Sequence, residues 1–217
     1  MSHVREHRSI LAASEKRLLI FIAERLPRSV NSDHLTALAL ASMGLAGAAF
    51  AAARWNVHAL WLVVVALALN WFGDSLDGTL ARVRRVERPR YGFYVDHVLD
   101  IAGATLLFAG LACSPFMTPI VALGLLIAYL LVSGEVFLAT AVRGVFKMSV
   151  AGIGPTELRI LLAAGTLSLV RDPHVTIGSL SVPLFDFAGV LATAGLAGVF
   201  VLSVLRNTMA LALAERR

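Results

Sequence analysis

Long apolar runs alternate along this chain with short polar connections, and runs such as LWLVVVALALNWF and IAGATLLFAGLA contain no charged residue. The pattern predicts six membrane-spanning helices, at about Leu35–Ala53, Val57–Arg82, Phe93–Cys113, Pro119–Val142, Thr156–Val170 and Pro183–Leu205. A bilayer core of roughly 30 Å requires about 20 apolar residues. The second, third and fifth spans reach that length only by extending into a polar zone. Before the first span, Ile10–Leu26 places Leu11, Leu18, Leu19, Ile22 and Leu26 among Lys16, Arg17, Glu24 and Arg25. That spacing predicts an amphipathic helix lying in the interface. The expected fold class is therefore all-α, a polytopic membrane protein with six transmembrane helices behind an N-terminal interfacial helix. One domain covers 1–217, with 1–34 as the cytoplasmic and interfacial part and 35–217 as the six-helix membrane part.

Composition agrees with the pattern. The chain is 58% hydrophobic and only 15% charged, with a mean hydropathy of +0.79, outside the range of ordinary soluble domains. Its single cysteine, Cys113, excludes an internal disulfide and reads as a packing residue. The first thirty residues are too polar for a secretory signal. All but two of the 19 Lys and Arg residues fall in the N-terminal segment, the Arg82–Arg90 loop, the Arg143–Arg159 region and the C-terminal tail. The positive-inside rule makes that side cytoplasmic, with both termini inside. A sequence pI near 10.1 would suggest nucleic acid in a soluble protein. Here it points to anionic lipid or an anionic substrate, and no nucleic-acid partner is expected. Trp55, Trp61 and Trp71 read as interface anchors.

The chemistry concentrates in GDSLDGTLARVRRVERPRYGFYVDHVLD, Gly73–Asp100. Asp74 and Asp77 are three apart, and Asp96 and Asp100 four apart, so each pair shares a helix face. The short loop Val83–Tyr91 makes the two helices antiparallel neighbours, and all four carboxylates can converge at one cytoplasmic edge. Such a cluster repels itself unless cations intervene, and hard oxygen ligands favour Mg²⁺ or Mn²⁺. Two ions would suit phosphoryl chemistry. Gly78 and Ala81 leave room for a flat or bulky group, Gly92 allows close approach of the third helix, and Arg82 can neutralise a phosphate. The arginines at 84, 85, 88 and 90 read as a solvated topogenic loop.

DSLDGTLAR, nine residues, then GFYVDHVLD resembles the signature of the CDP-alcohol phosphotransferase family: Asp-x2-Asp-Gly-x2-Ala-Arg, eight or nine residues, Gly-x3-Asp-x3-Asp. The resemblance implies transfer of a substituted phosphate from a CDP-linked donor, foremost CDP-diacylglycerol, to an alcohol acceptor, with release of CMP. It implies two divalent metals on Asp74, Asp77, Asp96 and Asp100, nucleotide contacts from Asp74, Gly78, Ala81 and Arg82, Asp100 as general base, and a homodimer formed through the membrane helices. The entry to the first span, NSDHLT, resembles the Pro-Asn-x-x-Thr-like entry of that family, with Ser32 and Asp33 in place of the usual pair, which leaves a nucleotide contact from Asp33 open.

The acceptor is left open. Arg143, Lys147, Glu157 and Arg159 lie on the cytoplasmic side and suit a phosphorylated polyol, although Arg143 and Lys147 also serve as topogenic charge and Glu157 as a helix-dipole contact. Against this, Asp96-His97 resembles the aminoalcohol phosphotransferase branch, where CDP-choline or CDP-ethanolamine donates to diacylglycerol and the histidine assists as a catalytic base. That branch tends to place a glutamate after the motif glycine, where this chain has Phe93. Glu135, inside an apolar span, predicts a polar pocket or dimer contact. Two other classes use acidic clusters. A cation or proton transporter would need carboxylates near the bilayer midplane, and prenyl-diphosphate enzymes lack this Gly-x-x-Ala-Arg and second Asp pair.

Overall fold

A computed structural model describes residues 4–6, 12–143, 145–147 and 155–215. The architecture is all-α. Among the described residues seven helices run in chain order: α1 Ala12–Arg25, α2 Ser32–Ala52, α3 Ala59–Val83, α4 Pro89–Ala112, α5 Pro119–Arg143, α6 Pro155–Arg171 and α7 Leu184–Ala214. Two short strand pairs accompany them. β1 Val4–Glu6 pairs in parallel with β2 Val145–Lys147. The connection before α7, expected as a loop, is an antiparallel hairpin of β3 His174–Ile177 and β4 Leu180–Pro183. Its turn begins at Gly178, φ +64°, a left-handed conformation that glycine adopts without steric cost.

Five helices, α2, α3, α4, α5 and α7, are long and apolar enough to cross a membrane. The fifth predicted span, Thr156–Val170, is α6 and has 17 residues. At 1.5 Å per residue it covers about 26 Å, short of the roughly 30 Å apolar core. α7 departs in the other direction. It continues past the expected end at Leu205 to Ala214, 31 residues in all, because the residues after Arg206 and Asn207 are mostly strong helix formers.

Small residues bring α2, α3 and α4 together. A Cβ on Gly110 of α4 would lie 2.1 Å from the Gly47 carbonyl oxygen of α2, and one on Gly47 would lie 2.3 Å from the Leu106 carbonyl oxygen. On α3, a Cβ on Gly73 would lie 2.5 Å from the Leu35 carbonyl oxygen. These contacts hold backbone against backbone, as in small-residue membrane packing. Gly92, expected to serve this purpose, has nothing within 4 Å of a built Cβ; the close approach on α4 is at Gly103 and Gly110, further from the loop. Gly110→Leu should therefore cost about 1–3 kcal/mol of stability by overpacking, to be checked as a lowered unfolding midpoint in detergent.

The main core gathers Phe50, Leu60, Val63, Ala66, Leu111 and Phe185. A second cluster, Leu19, Ala23, Leu35, Leu76 and Leu80, lies under α1. α1 buries Leu19 and Ala23 while Leu18 and Phe21 stay exposed, so the helix packs on α3 with one stripe and shows a second apolar edge outward.

The connecting arginines have more specific work than the sequence suggests. Arg84 donates to the carbonyls of Leu26 and Pro27, each at 3.0 Å, and of Val30. It thereby neutralises the C-terminal end of α1, where carbonyls lack helical partners. Arg88 pairs with Asp33. α3 ends in a Schellman pattern, with the Val86 amide on the Ala81 carbonyl at 3.0 Å and the Arg85 amide on the Arg82 carbonyl at 3.1 Å. Arg85 takes the left-handed position, φ 57°, usually held by glycine. The tight reversal sets α4 antiparallel to α3. Cys113 is exposed rather than packed, and its carbonyl accepts from Arg54.

Candidate active site

The last turns of α3 carry Asp74 and Asp77, and the first turns of α4 carry Asp96 and Asp100. One carboxylate oxygen from each of Asp74, Asp96 and Asp100 lies within 4.8 Å of the others. Asp74 and Asp96 are half-buried and Asp100 is exposed, so the cluster opens outward on the Asp100 side. Asp77 stands beside this trio, within electrostatic range of Asp96 and Asp74. Its Oδ2 accepts from Thr36 Oγ1 at 2.7 Å, and its Oδ1 from the Gly78 amide. The Asp77 carbonyl accepts from Ser32 Oγ at 2.9 Å. The start of α2, capped by Asn31 through the His34 amide at 2.9 Å, thus pins the second aspartate in place. An all-oxygen set of three adjacent carboxylates fits Mg²⁺ or Mn²⁺ and suits soft-metal chemistry poorly.

Arg159 reaches into the cluster from α6. Its terminal nitrogen lies 2.5 Å from Asp74 Oδ2, and its Nε donates to Asn70 Oδ1 at 2.7 Å. Asn70 is buried, and its amide donates to the Ala39 carbonyl at 3.0 Å. Both members of the Arg159–Asp74 pair are largely shielded from solvent. A planar guanidinium held in that way is ordered before any ligand arrives. Tyr129 of α5 lies within electrostatic range of Asp100, Arg159 and Asp74, and is hydrogen-bonded with Ser133.

The residues expected to meet the nucleotide, Gly78, Ala81 and Arg82, lie in the last turns of α3. A Cβ on Gly78 would meet only the Arg82 guanidinium, at 3.9 Å, so the glycine leaves open space rather than permitting helix packing. Ala81 is half-buried and Arg82 is exposed, the latter donating to Thr79 Oγ1 at 3.0 Å.

His97 follows Asp96 on α4. It is buried, with Phe93 at 4.2 Å and Phe137 at 4.8 Å between ring centroids. Its Nδ1 lies 2.6 Å from the Phe93 carbonyl, which places the ring proton on that nitrogen.

The expected acceptor residues divide. Arg159 joins the cluster, whereas Arg143 donates to the Asn207 side chain on α7. Asn207 and Ser203 also donate to Glu135, at 2.5 and 2.6 Å. Glu135 is therefore a polar contact between α5 and α7. Glu157 lies in the first turn of α6, and Lys147 lies in β2, its side chain outside the described residues. Trp71, expected as an interface anchor, donates its Nε1 to Glu15 of α1 at 2.6 Å. Tyr129 and Glu15 had no signal in the linear pattern, because each comes from a helix distant in sequence; Asn70, four before Asp74 on the same face of α3, carried a spacing signal that was not used.

Residues 30–200 match the family model for CDP-alcohol phosphatidyltransferase. The chain belongs to this family. No curated protein matches it. Family membership makes the chain an enzyme, a transferase of substituted phosphate groups acting between a CDP-alcohol and an alcohol. It also places the protein in phospholipid biosynthesis and, with its apolar helices, in the membrane. Divalent metal use is general in the family, and the carboxylate trio supplies a donor set for it.

Proposed function

We propose that the chain transfers a phosphatidyl-type group from CDP-diacylglycerol to a polar alcohol acceptor, releasing CMP. The observation that carries this is the convergence of Asp74, Asp96 and Asp100 beside Asp77 in a chain of this family. Asp74, Asp77, Asp96 and Asp100 would hold two divalent ions, Mg²⁺ or Mn²⁺. Bound there, the ions neutralise the diphosphate and lower the cost of charge on the departing phosphate.

The protein's own groups do the rest. The gap above Gly78, together with Ala81, Arg82 and Asp74, receives the cytidine diphosphate portion of the donor. Asp100 sits on the open side of the trio and takes the proton of the acceptor hydroxyl. The acceptor oxygen bonds to the phosphorus that carries the lipid, and the bond from that phosphorus to the bridging oxygen of the CMP portion breaks. Arg159, fixed by Asn70, holds a negatively charged acceptor or the transferred phosphate, and Tyr129 orients the same region. The burial of His97 between Phe93 and Phe137 favours this donor over a CDP-aminoalcohol, since an enclosed imidazole is a poor base for a substrate hydroxyl. Six crossings, with α6 completed by its polar flanks, would leave the site and both termini cytoplasmic, and the apolar outer faces of the membrane helices would serve a homodimer.

The test is purified protein with Mg²⁺, labelled CDP-diacylglycerol and a panel of phosphorylated polyols, serine and inositol, with CDP-choline plus diacylglycerol in parallel. CMP release with CDP-diacylglycerol and a phosphorylated acceptor is expected. Release only with CDP-choline would transfer the protein to the other branch, and no release from any CDP-linked donor would sink the proposal.

A further inference from the structure

The packing of α6 on α3 near the site is polar. The residues α6 buries are Thr166 and Leu169, towards its far end. Near the site, two anchors one helical turn apart hold it. Thr156 and Arg159 are three apart and share a face of α6. Arg159 bonds Asn70 and Asp74. Thr156 Oγ1 donates to Glu15 Oε1 at 2.9 Å, and the same oxygen accepts from Trp71 Nε1 at 2.6 Å and Ser75 Oγ at 3.4 Å. On α3 the two anchors interleave: residues 70 and 74 receive Arg159, and residues 71 and 75 receive Glu15. One carboxylate oxygen with three donors from two helices is a charge-assisted junction, stronger than its neutral counterparts.

We infer that Glu15, on the N-terminal helix, is a positioning residue for phosphate transfer: it fixes the start of α6 on α3 so that the Arg159 guanidinium meets Asp74. The inference rests on the proposed role of Arg159 at the transfer site. Without Glu15, Thr156 and Trp71 lose their shared acceptor, the start of α6 loses one of its two described anchors to α3, and the guanidinium samples more positions. Geometry of this kind matters to transfer because small displacements of a positioning group reduce rate steeply.

The experiment is a double-mutant cycle in the full chain. Glu15→Ala and Arg159→Lys are measured singly and together as kcat/KM for CMP release, with Glu15→Gln as the conservative variant. If Glu15 acts through Arg159, Glu15→Ala lowers kcat/KM about tenfold alone but less than about twofold in the Arg159→Lys background. Glu15→Gln, which keeps an acceptor oxygen, recovers most of the loss. A second readout does not depend on activity. Spin labels at Leu158→Cys on α6 and Trp61→Cys on α3, both exposed positions, are placed in a Cys113→Ser background. Their distance distribution should broaden on Glu15→Ala. An equal loss in both backgrounds, or an unchanged distance distribution, overturns the inference. Absence of CMP release by the wild-type chain overturns the proposed function instead, while the distance measurement still decides on Glu15.

Discussion

Asp100→Asn is expected to lower kcat by about 10²–10⁴-fold, the range spanned by a positioned general base, while leaving the protein folded. The substitution keeps the shape of the side chain and removes its capacity to take the acceptor proton. It also removes one of three negative charges whose oxygens lie within 4.8 Å. In the metal-free protein ionised carboxylates at these positions oppose one another, and Arg159 is bonded to the trio at Asp74. Metal-free Asp100→Asn should therefore unfold at the same temperature as the wild type or higher, because like-charge repulsion falls. Loss of activity with retained or increased thermal stability is the pattern of a site arranged for chemistry at the expense of stability. The checks are CMP release under saturating donor and acceptor, and a thermal unfolding curve in chelator. Near-normal kcat would remove Asp100 from the chemistry. A large drop in unfolding temperature would show that the carboxylate serves the fold.

The second large effect is expected from metal removal. Chelation should abolish CMP release, and Mg²⁺ or Mn²⁺ should restore it, since these ions match the all-oxygen donors of Asp74, Asp96 and Asp100. An ion that binds only the folded protein raises its stability by mass action, by about 2.7 kcal/mol at a hundredfold excess over its dissociation constant. The wild type should thus show an ion-dependent rise in unfolding temperature, and Asp96→Asn should show little or none. Turnover that survives exhaustive chelation, or an equal thermal shift in Asp96→Asn, would count against a metal site at this cluster.

The aspartate cluster was legible because its spacing is local. Three- and four-residue intervals place each pair on one helix face, and the short basic loop forces the helices side by side. The apolar helices were legible for the same reason, because hydrophobic length is a property of consecutive residues. Ends were less so. α6 was read at Thr156–Val170, within a residue of its ends, whereas α7 runs on beyond Leu205 because nothing in the sequence there stops a helix. Single charges were read poorly. Arg84 and Arg88 looked like topogenic charge, yet one holds the C-terminal end of α1 and the other pairs with Asp33. His97, adjacent to a motif aspartate, is enclosed by two aromatic rings.

The sequence by itself determined the class of the molecule, the location of its carboxylates and the family chemistry, since each is carried by residues close together in the chain. Only the tertiary structure decided which residues complete the site. Arg159, Asn70, Thr36, Tyr129 and Glu15 come from α6, α3, α2, α5 and α1. Their meeting depends on how closely the helices approach, which backbone contacts at Gly47, Gly73 and Gly110 set. A hydrogen bond requires placement within a few tenths of an ångström, and no pattern of neighbouring residues specifies distances between helices to that precision.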